Sequence, residues 1–122
     1  MAGESFAARL TAFDIQADGS LANRRVWAQL EHGTPDGICL DAEGAVWYAS
    51  PVSAECVRVA EGGRVLDRVP LAAQAFACML GGADRRTLFI CTAADSHPAQ
   101  CRAARSGRIE TLPVAVPGAG LP

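Results

Sequence analysis

The sequence predicts an all-β chain. Three observations carry that reading: the apolar runs are short and alternate with polar residues, glycine-containing turns separate them, and one strand-turn-strand pattern occurs twice. "FACML", "GGADRRT" and "LFICTA" repeat "GICL", "DAEGA" and "VWYAS", with Leu80 matching Leu40 at an offset of 40 and Phe89 matching Trp47 at 42. A four-stranded unit recurring every roughly 40 to 45 residues is the signature of propeller blades, each burying its faces only against its neighbours. An ordinary meander or sandwich is the competing architecture for a repeat this short.

The elements follow in order. Residues 9–15, "RLTAFDI", alternate as a strand, "QADGS" is a turn, and residues 24–30, "RRVWAQL", return as the hairpin partner. After "EHGTPDG" come strands at 38–40 and 45–50 around the turn "DAEG", then strands at 56–59 and 64–71 around "AEGG". Residues 38–71 therefore read as one four-stranded unit. Strands at 76–80 and 88–93 begin the next, "GRIETLPV" adds one outer strand, and "AVPGAGLP" is expected as a loosely ordered tail. The organisation expected is 1–31 as the end of one blade, 32–71 as a second and 72–122 as a third, about two and a half blades in all. "PLAAQAFACML" has helical propensity, but its bounding turns favour strand, and "RAARSGR" reads as a solvated connection. The predicted core is Phe13, Trp27, Ile38, Leu40, Val46, Trp47, Val57, Val65, Val69, Phe76, Met79, Leu88, Phe89 and Ile90, with the two tryptophans bracing adjacent sheets. Arg24, Arg25, Arg64 and Arg68 are expected on outer faces, where they guard strand edges.

Composition bounds the function. The 122 residues suffice for one domain, and half are apolar, but 24 of these are alanine, so the core is thin. Eleven arginines, no lysine and a net charge of −2 leave no electrostatic footprint for nucleic acid. The apolar runs are far shorter than the roughly 20 residues a membrane helix needs, and no leader pattern opens the chain, so a cytoplasmic location without membrane attachment is expected. Five cysteines are spaced by 17, 22, 13 and 10 positions, without the close pair of a zinc knuckle or redox motif, and are expected to be reduced. Cys91, His97 and Cys101 could be drawn as three metal ligands or as a thiol with its base, although a fourth ligand is missing. His32 reads as a solvated loop residue.

Asp36 poses the sharper question. It stands between Pro35 and Gly37, which is what a tight turn requires, and equally a way to hold a carboxylate still for chemistry. Asp41 and Glu43 belong to the "DAEG" turn and are expected to be solvated.

From Glu4 to about Thr92 the chain resembles the gluconolactonase, regucalcin (senescence marker protein) and luciferin-regenerating-enzyme family, most specifically in "ADGSLANRR", "PDGICLDAEGAVW" and "GGADRRTLF". The resemblance implies a six-bladed propeller that binds one divalent ion, often calcium, near its axis and hydrolyses sugar-type lactones. It makes Asp36 the match to the aspartate that reaches the metal and activates water, hence both catalytic residue and metal ligand. A metal on the lactone carbonyl would act as a Lewis acid while the carboxylate accepts the proton of the water.

The family's other metal ligands, a glutamate from the first blade and an asparagine from a middle one, have no match here. Glu4 and Asn23 fall in segments that the family places on outer strands or loops. The expectation is thus the C-terminal portion of a metal-dependent lactonase, whether a truncation, a late start or a split enzyme. It would bind calcium weakly or not at all and be inactive without a missing N-terminal half. The alternative is a non-catalytic β-sheet protein that self-associates through exposed edges and faces. A third reading, a small hydrolase using Cys91 with His97, or Asp36 with an unrecognised partner, has less behind it.

Overall fold

The computed structural model describes residues 1–120, and its strands form three antiparallel sheets. The first sheet contains β1 (Ala2–Glu4), β2 (Arg9–Ile15) and β3 (Leu21–Gln29), with a 3-10 turn at Ser5–Ala7 between β1 and β2. The central sheet is a four-stranded meander of β4 (Ile38–Leu40), β5 (Val46–Ser50), β6 (Glu55–Val59) and β7 (Val65–Pro70). The third contains β8 (Gln74–Gly81), β9 (Thr87–Ala93) and β10 (Arg108–Pro113), and α1 (Pro98–Ala104) connects the last two. The expected strands all form. Four strands per unit holds only for the central sheet, since its two neighbours have three each.

The helix was not expected. Pro98 occupies its first turn, where no amide partner is lost, and the alanines, glutamine and arginine that follow favour helix. It buries no side chain, so no apolar stripe marks it in the sequence.

The central sheet is covered on both faces. Val46, Tyr48, Val57 and Val59 pack with Leu10, Ala12, Trp27, Ala28 and Leu30 of the first sheet and its exit. On the opposite face Cys39, Trp47, Ala49 and Cys56 pack with Ala75, Cys78, Leu80, Leu88 and Ile90 of the third. Each tryptophan therefore sits between two sheets, as expected.

Four expected core residues are instead exposed: Leu40, Val65, Met79 and Phe89. Alternation separates two faces of a strand but does not say which of them is covered. Leu40 ends a three-residue strand, Val65 begins an outer strand, and Met79 and Phe89 lie on the uncovered face of the third sheet.

The expected arginine guards are mostly engaged within their own sheets. Arg24 pairs with Glu4, Arg25 with Asp14 and Arg68 with Glu55, at 2.7, 2.8 and 2.9 Å. Asp41 also departs from expectation, being buried. Its carboxylate accepts from the amides of Glu43 and Ala45 and from Arg58 Nε at 2.6 Å, so it organises the β4–β5 turn from within. Glu43 is exposed and pairs with the same arginine.

The tail is tied down by backbone bonds. The amides of Val114 and Gly118 donate to the carbonyls of Arg86 and Arg85, Ala42 donates to Pro117, and Ala119 donates to Leu40. The tail thus clamps the β4–β5 turn to the β8–β9 turn. Leu121 and Pro122, included in the loosely ordered tail of the sequence reading, lie outside the described residues.

Candidate functional site

Pro35-Asp36-Gly37 does not form a hairpin turn; it leads the chain into β4. The Asp36 amide donates to Ala49 O and the Ala49 amide donates to Gly37 O, both at 2.9 Å, so the segment continues the β4–β5 ladder. The amide of Gly37 donates across to Phe76 O in the third sheet, also at 2.9 Å. That carbonyl is free to accept because Phe76 is the extra residue of a bulge: Ala75 pairs with Thr92 and Ala77 with Cys91, leaving Phe76 unpaired.

Glycine at position 37 is required by closeness. A Cβ there would lie 2.6 Å from Ala77 Cα and 3.1 Å from Phe76 O. On the other side Pro35 is buried and its carbonyl accepts from Ser5 Oγ at 2.7 Å. Upstream, Ser50 Oγ accepts from the Thr34 amide at 3.1 Å and from Ser53 Oγ at 2.7 Å. The backbone around Asp36 is thereby fixed from three directions, while its side chain is exposed.

That side chain borders an open cleft of about 400 Å³ lined by the β1–β2 turn, the segment entering β4, the β5–β6 turn, the start of β8 and Ser96. Ser5, Thr34, Gln74 and Ser96 supply its neutral polar groups, and Phe76 and the strongly exposed Phe6 and Val52 its apolar ones. Asp36 is the one carboxylate in that lining. Sequence reasoning missed the polar set because its members come from four separate segments. The unpaired bulge residue Phe76 is the signal's nearest relative, and it is visible only in the register.

The other sequence candidates do not join Asp36. Glu4 is held by Arg9 at 2.7 Å, by the Thr11 hydroxyl and by Arg24, and Asn23 donates to Asp14. The Arg9 hydrogen bond, then those of Thr11 and Arg24, outweigh partial desolvation and hold the Glu4 carboxyl at about 2 against the usual 4.5. Cys91 is exposed on β9, Cys101 donates its thiol to Asp95 O at 3.1 Å, and His97 is exposed at the start of α1. Among the described residues no three His, Cys, Asp or Glu side chains gather as a metal site. His32 is exposed, with its carbonyl accepting from Tyr48 Oη.

The fit to a divalent ion is therefore incomplete. Calcium takes about 6 to 8 oxygen ligands with several carboxylates among them, and these residues bring one carboxylate and a few neutral oxygens. They do not by themselves make such a site.

Residues 2–94 match the sequence profile of the SMP-30/Gluconolactonase/LRE-like region. The chain belongs to that family. Regucalcin from Danio rerio is 36% identical over 95 residues, which cover 74% of this chain and 32% of that protein. A 6-deoxy-6-sulfogluconolactonase from Pseudomonas putida is 30% identical over 119 residues, covering 93% and 41%. The crystal structure of a calcium-binding protein, regucalcin, from Agrobacterium tumefaciens superposes with a TM-score of 0.70 at 21% identity, covering 97% of this chain and 42% of that one. The chain thus spans about a third to two fifths of the length of these relatives. Its sheets are those of a β-propeller family, and no described helix is long and apolar enough to cross a membrane.

Proposed function

We propose that this chain is the C-terminal portion of a metal-dependent, gluconolactonase-like hydrolase, inactive alone, to which it contributes Asp36. The observation that carries the reading is the combination at Asp36: a backbone pinned by its own sheet, by Phe76 and through Pro35, and a carboxylate left open to a cleft. A carboxylate so held can accept a proton from water attacking a lactone carbonyl, the task of a general base. The neutral polar groups of Thr34, Gln74 and Ser96, with Ser5 Oγ as an acceptor, suit a polyhydroxy lactone lying in the same cleft. Similarity to the Pseudomonas putida sulfogluconolactonase over 93% of this chain supports the substrate class.

In this reading the complete ring has six blades, of which the chain supplies about two and a half. The ion is calcium, supported by the Agrobacterium relative described as calcium-binding, and its remaining ligands come from outside these residues. A cytoplasmic setting fits the five free cysteines, two of them exposed, which a reducing compartment would preserve.

The test is complementation. The chain and a separately made N-terminal half of the Agrobacterium regucalcin are assayed for gluconolactone hydrolysis with calcium, apart and mixed. Activity is expected only on mixing, and Asp36→Asn should lower it by roughly 10²-fold or more with unchanged circular dichroism. Activity from this chain alone, or an unimpaired Asp36→Asn mixture, would refute the proposal. The second reading, a non-catalytic self-associating protein, is favoured by one observation: both end sheets expose large apolar side chains, Ile15, Leu21 and Val26 on the first and Met79, Phe89 and Ile109 on the third.

A further inference from the structure

Two turns flank the segment that carries Asp36, and they are built alike. Between β1 and β2 the Ser5–Ala7 turn ends at Ala8, whose φ of 46° lies in the left-handed region that alanine rarely adopts. Between β5 and β6, residues 51–54 end at Ala54, with a φ of 51°. Such backbone persists only where its surroundings hold it. The Gln29 side-chain amide donates to the carbonyls of Ala7 and Ala8 at 3.2 and 3.0 Å, and the Leu30 amide donates to Ala8 O at 2.9 Å. The Leu71 amide donates to Ala54 O, again at 2.9 Å. Serine hydroxyls then tie both turns to the Asp36 segment: Ser5 Oγ donates to Pro35 O, while Ser53 Oγ donates to Ser50 Oγ, which accepts from the Thr34 amide.

Each turn presents one apolar side chain for which the fold has no use. Phe6 is fully exposed and Val52 is 80% exposed. Both line the cleft of Asp36, whereas the exposed Ile15, Leu21 and Val26 of the first sheet do not. The same cleft carries polar groups at Thr34 and Gln74, which are half-buried, and at Ser96. An apolar rim therefore borders a polar lining.

The ring of a sugar-type lactone has the same two characters. Its hydroxyl groups radiate from the edge, and its carbon-bound hydrogens form an apolar face, which the electron-rich face of an aromatic ring attracts and shields from water. We infer that Phe6 and Val52 are specificity residues of this cleft, covering the apolar C–H face of a six-membered lactone ring whose hydroxyl groups meet Thr34, Gln74 and Ser96. The inference rests on the proposed lactone reading and adds to it which part of the ring this chain grips. Two turns already fixed in place suit that task, since little ordering remains to oppose binding. Phe6 has no group that can transfer a proton, so its effect falls on binding and not on the chemical step.

Saturation-transfer NMR on the full chain alone supplies the test, with the lactam of gluconic acid as the probe, which keeps the ring and its hydroxyl groups and resists hydrolysis. The wild type should pass saturation to the carbon-bound ring protons at millimolar probe. Phe6→Ala should weaken binding by about three- to tenfold and Val52→Ser by about two- to threefold, while Phe6→Tyr, which keeps the aromatic face, should bind like the wild type. All three should retain the wild-type circular dichroism, because both positions are exposed. Ile15→Ala, equally exposed but outside the cleft, is the control and should bind unchanged. In the mixture with the N-terminal half of the Agrobacterium regucalcin, Phe6→Ala should raise KM and leave kcat within about twofold, the opposite of Asp36→Asn. No transfer to the probe from the wild type, unchanged binding by Phe6→Ala, or an equal loss in Ile15→Ala would overturn the inference. The binding measurement needs no hydrolysis, so binding lost in Phe6→Ala without activity on mixing would refute the hydrolase reading alone, and activity on mixing that is indifferent to Phe6→Ala would refute this inference alone.

Discussion

At the scale of single residues, two carboxylates with similar exposure to sequence reasoning serve opposite ends. Asp36 has a fixed backbone and an open side chain, whereas Glu4 is consumed by its neighbours, so only the first is available to a substrate. The fate of Glu4 has a pH signature. Its folded-state value of about 2 lies below the usual 4.5, so the stability it contributes is fully present above about pH 4.5 and is lost as pH falls through 2. Denaturant titrations at pH 6, 4, 3 and 2 should show the wild type losing part of its advantage over Glu4→Gln across that window. Parallel curves would mean that Arg9, Thr11 and Arg24 do not hold the carboxylate as described. Asp36 was legible as a candidate because proline and glycine flank it. The reason for Gly37 was not, since the atoms it must avoid belong to Phe76 and Ala77, some 40 positions later.

At the scale of elements, what places the candidate site is the crossing of β4 and β8. The bulge at Phe76 turns a carbonyl toward Gly37, and the missing Cβ lets the two inner strands approach. Gly37→Ala would put a methyl 2.6 Å from a backbone carbon that cannot rotate away. The strands must separate, at a cost of about 1 to 3 kcal/mol or more for an overpacked contact. Equilibrium unfolding should show that loss, and hydrogen exchange at the Gly37 amide should accelerate by a larger factor than at amides of β6. A neutral substitution would show that the crossing tolerates expansion. The strands themselves were legible because alternation and glycine turns are local: β2 and β4 form at the expected residues. Coverage was not local. Phe89 and Trp47 have the same place in their sheets, yet Trp47 is buried because another sheet follows and Phe89 is not. Truncating Trp47 to alanine should therefore cost about 3 to 5 kcal/mol, measured at a concentration where the chain is monomeric, while Phe89→Ala should cost less than half as much. Helix α1 escaped for the converse reason, since a segment that buries nothing leaves no pattern.

At the scale of the whole molecule, the three sheets are a stack with two open ends, and its stability depends on what those ends meet. Cores join the first sheet to the second and the second to the third, and the tail adds bonds between the β4–β5 and β8–β9 turns. None of these elements covers Met79, Phe89 and Ile109 or Ile15, Leu21 and Val26. If a second copy covers both sets, unfolding is coupled to dissociation, and mass action makes the transition depend on concentration. Each tenfold rise in protein then favours the folded dimer by about 1.4 kcal/mol. Divided by the unfolding entropy of two chains of this length, at about 2.1 cal/mol/K per residue, that is a rise in Tm of about 3 °C per tenfold. Scanning calorimetry across two decades of concentration should show this slope in the wild type and a flat line in Phe89→Glu, whose lone charge cannot enter an apolar contact without partners. A wild-type midpoint independent of concentration, with the protein folded throughout, would refute the self-associating reading.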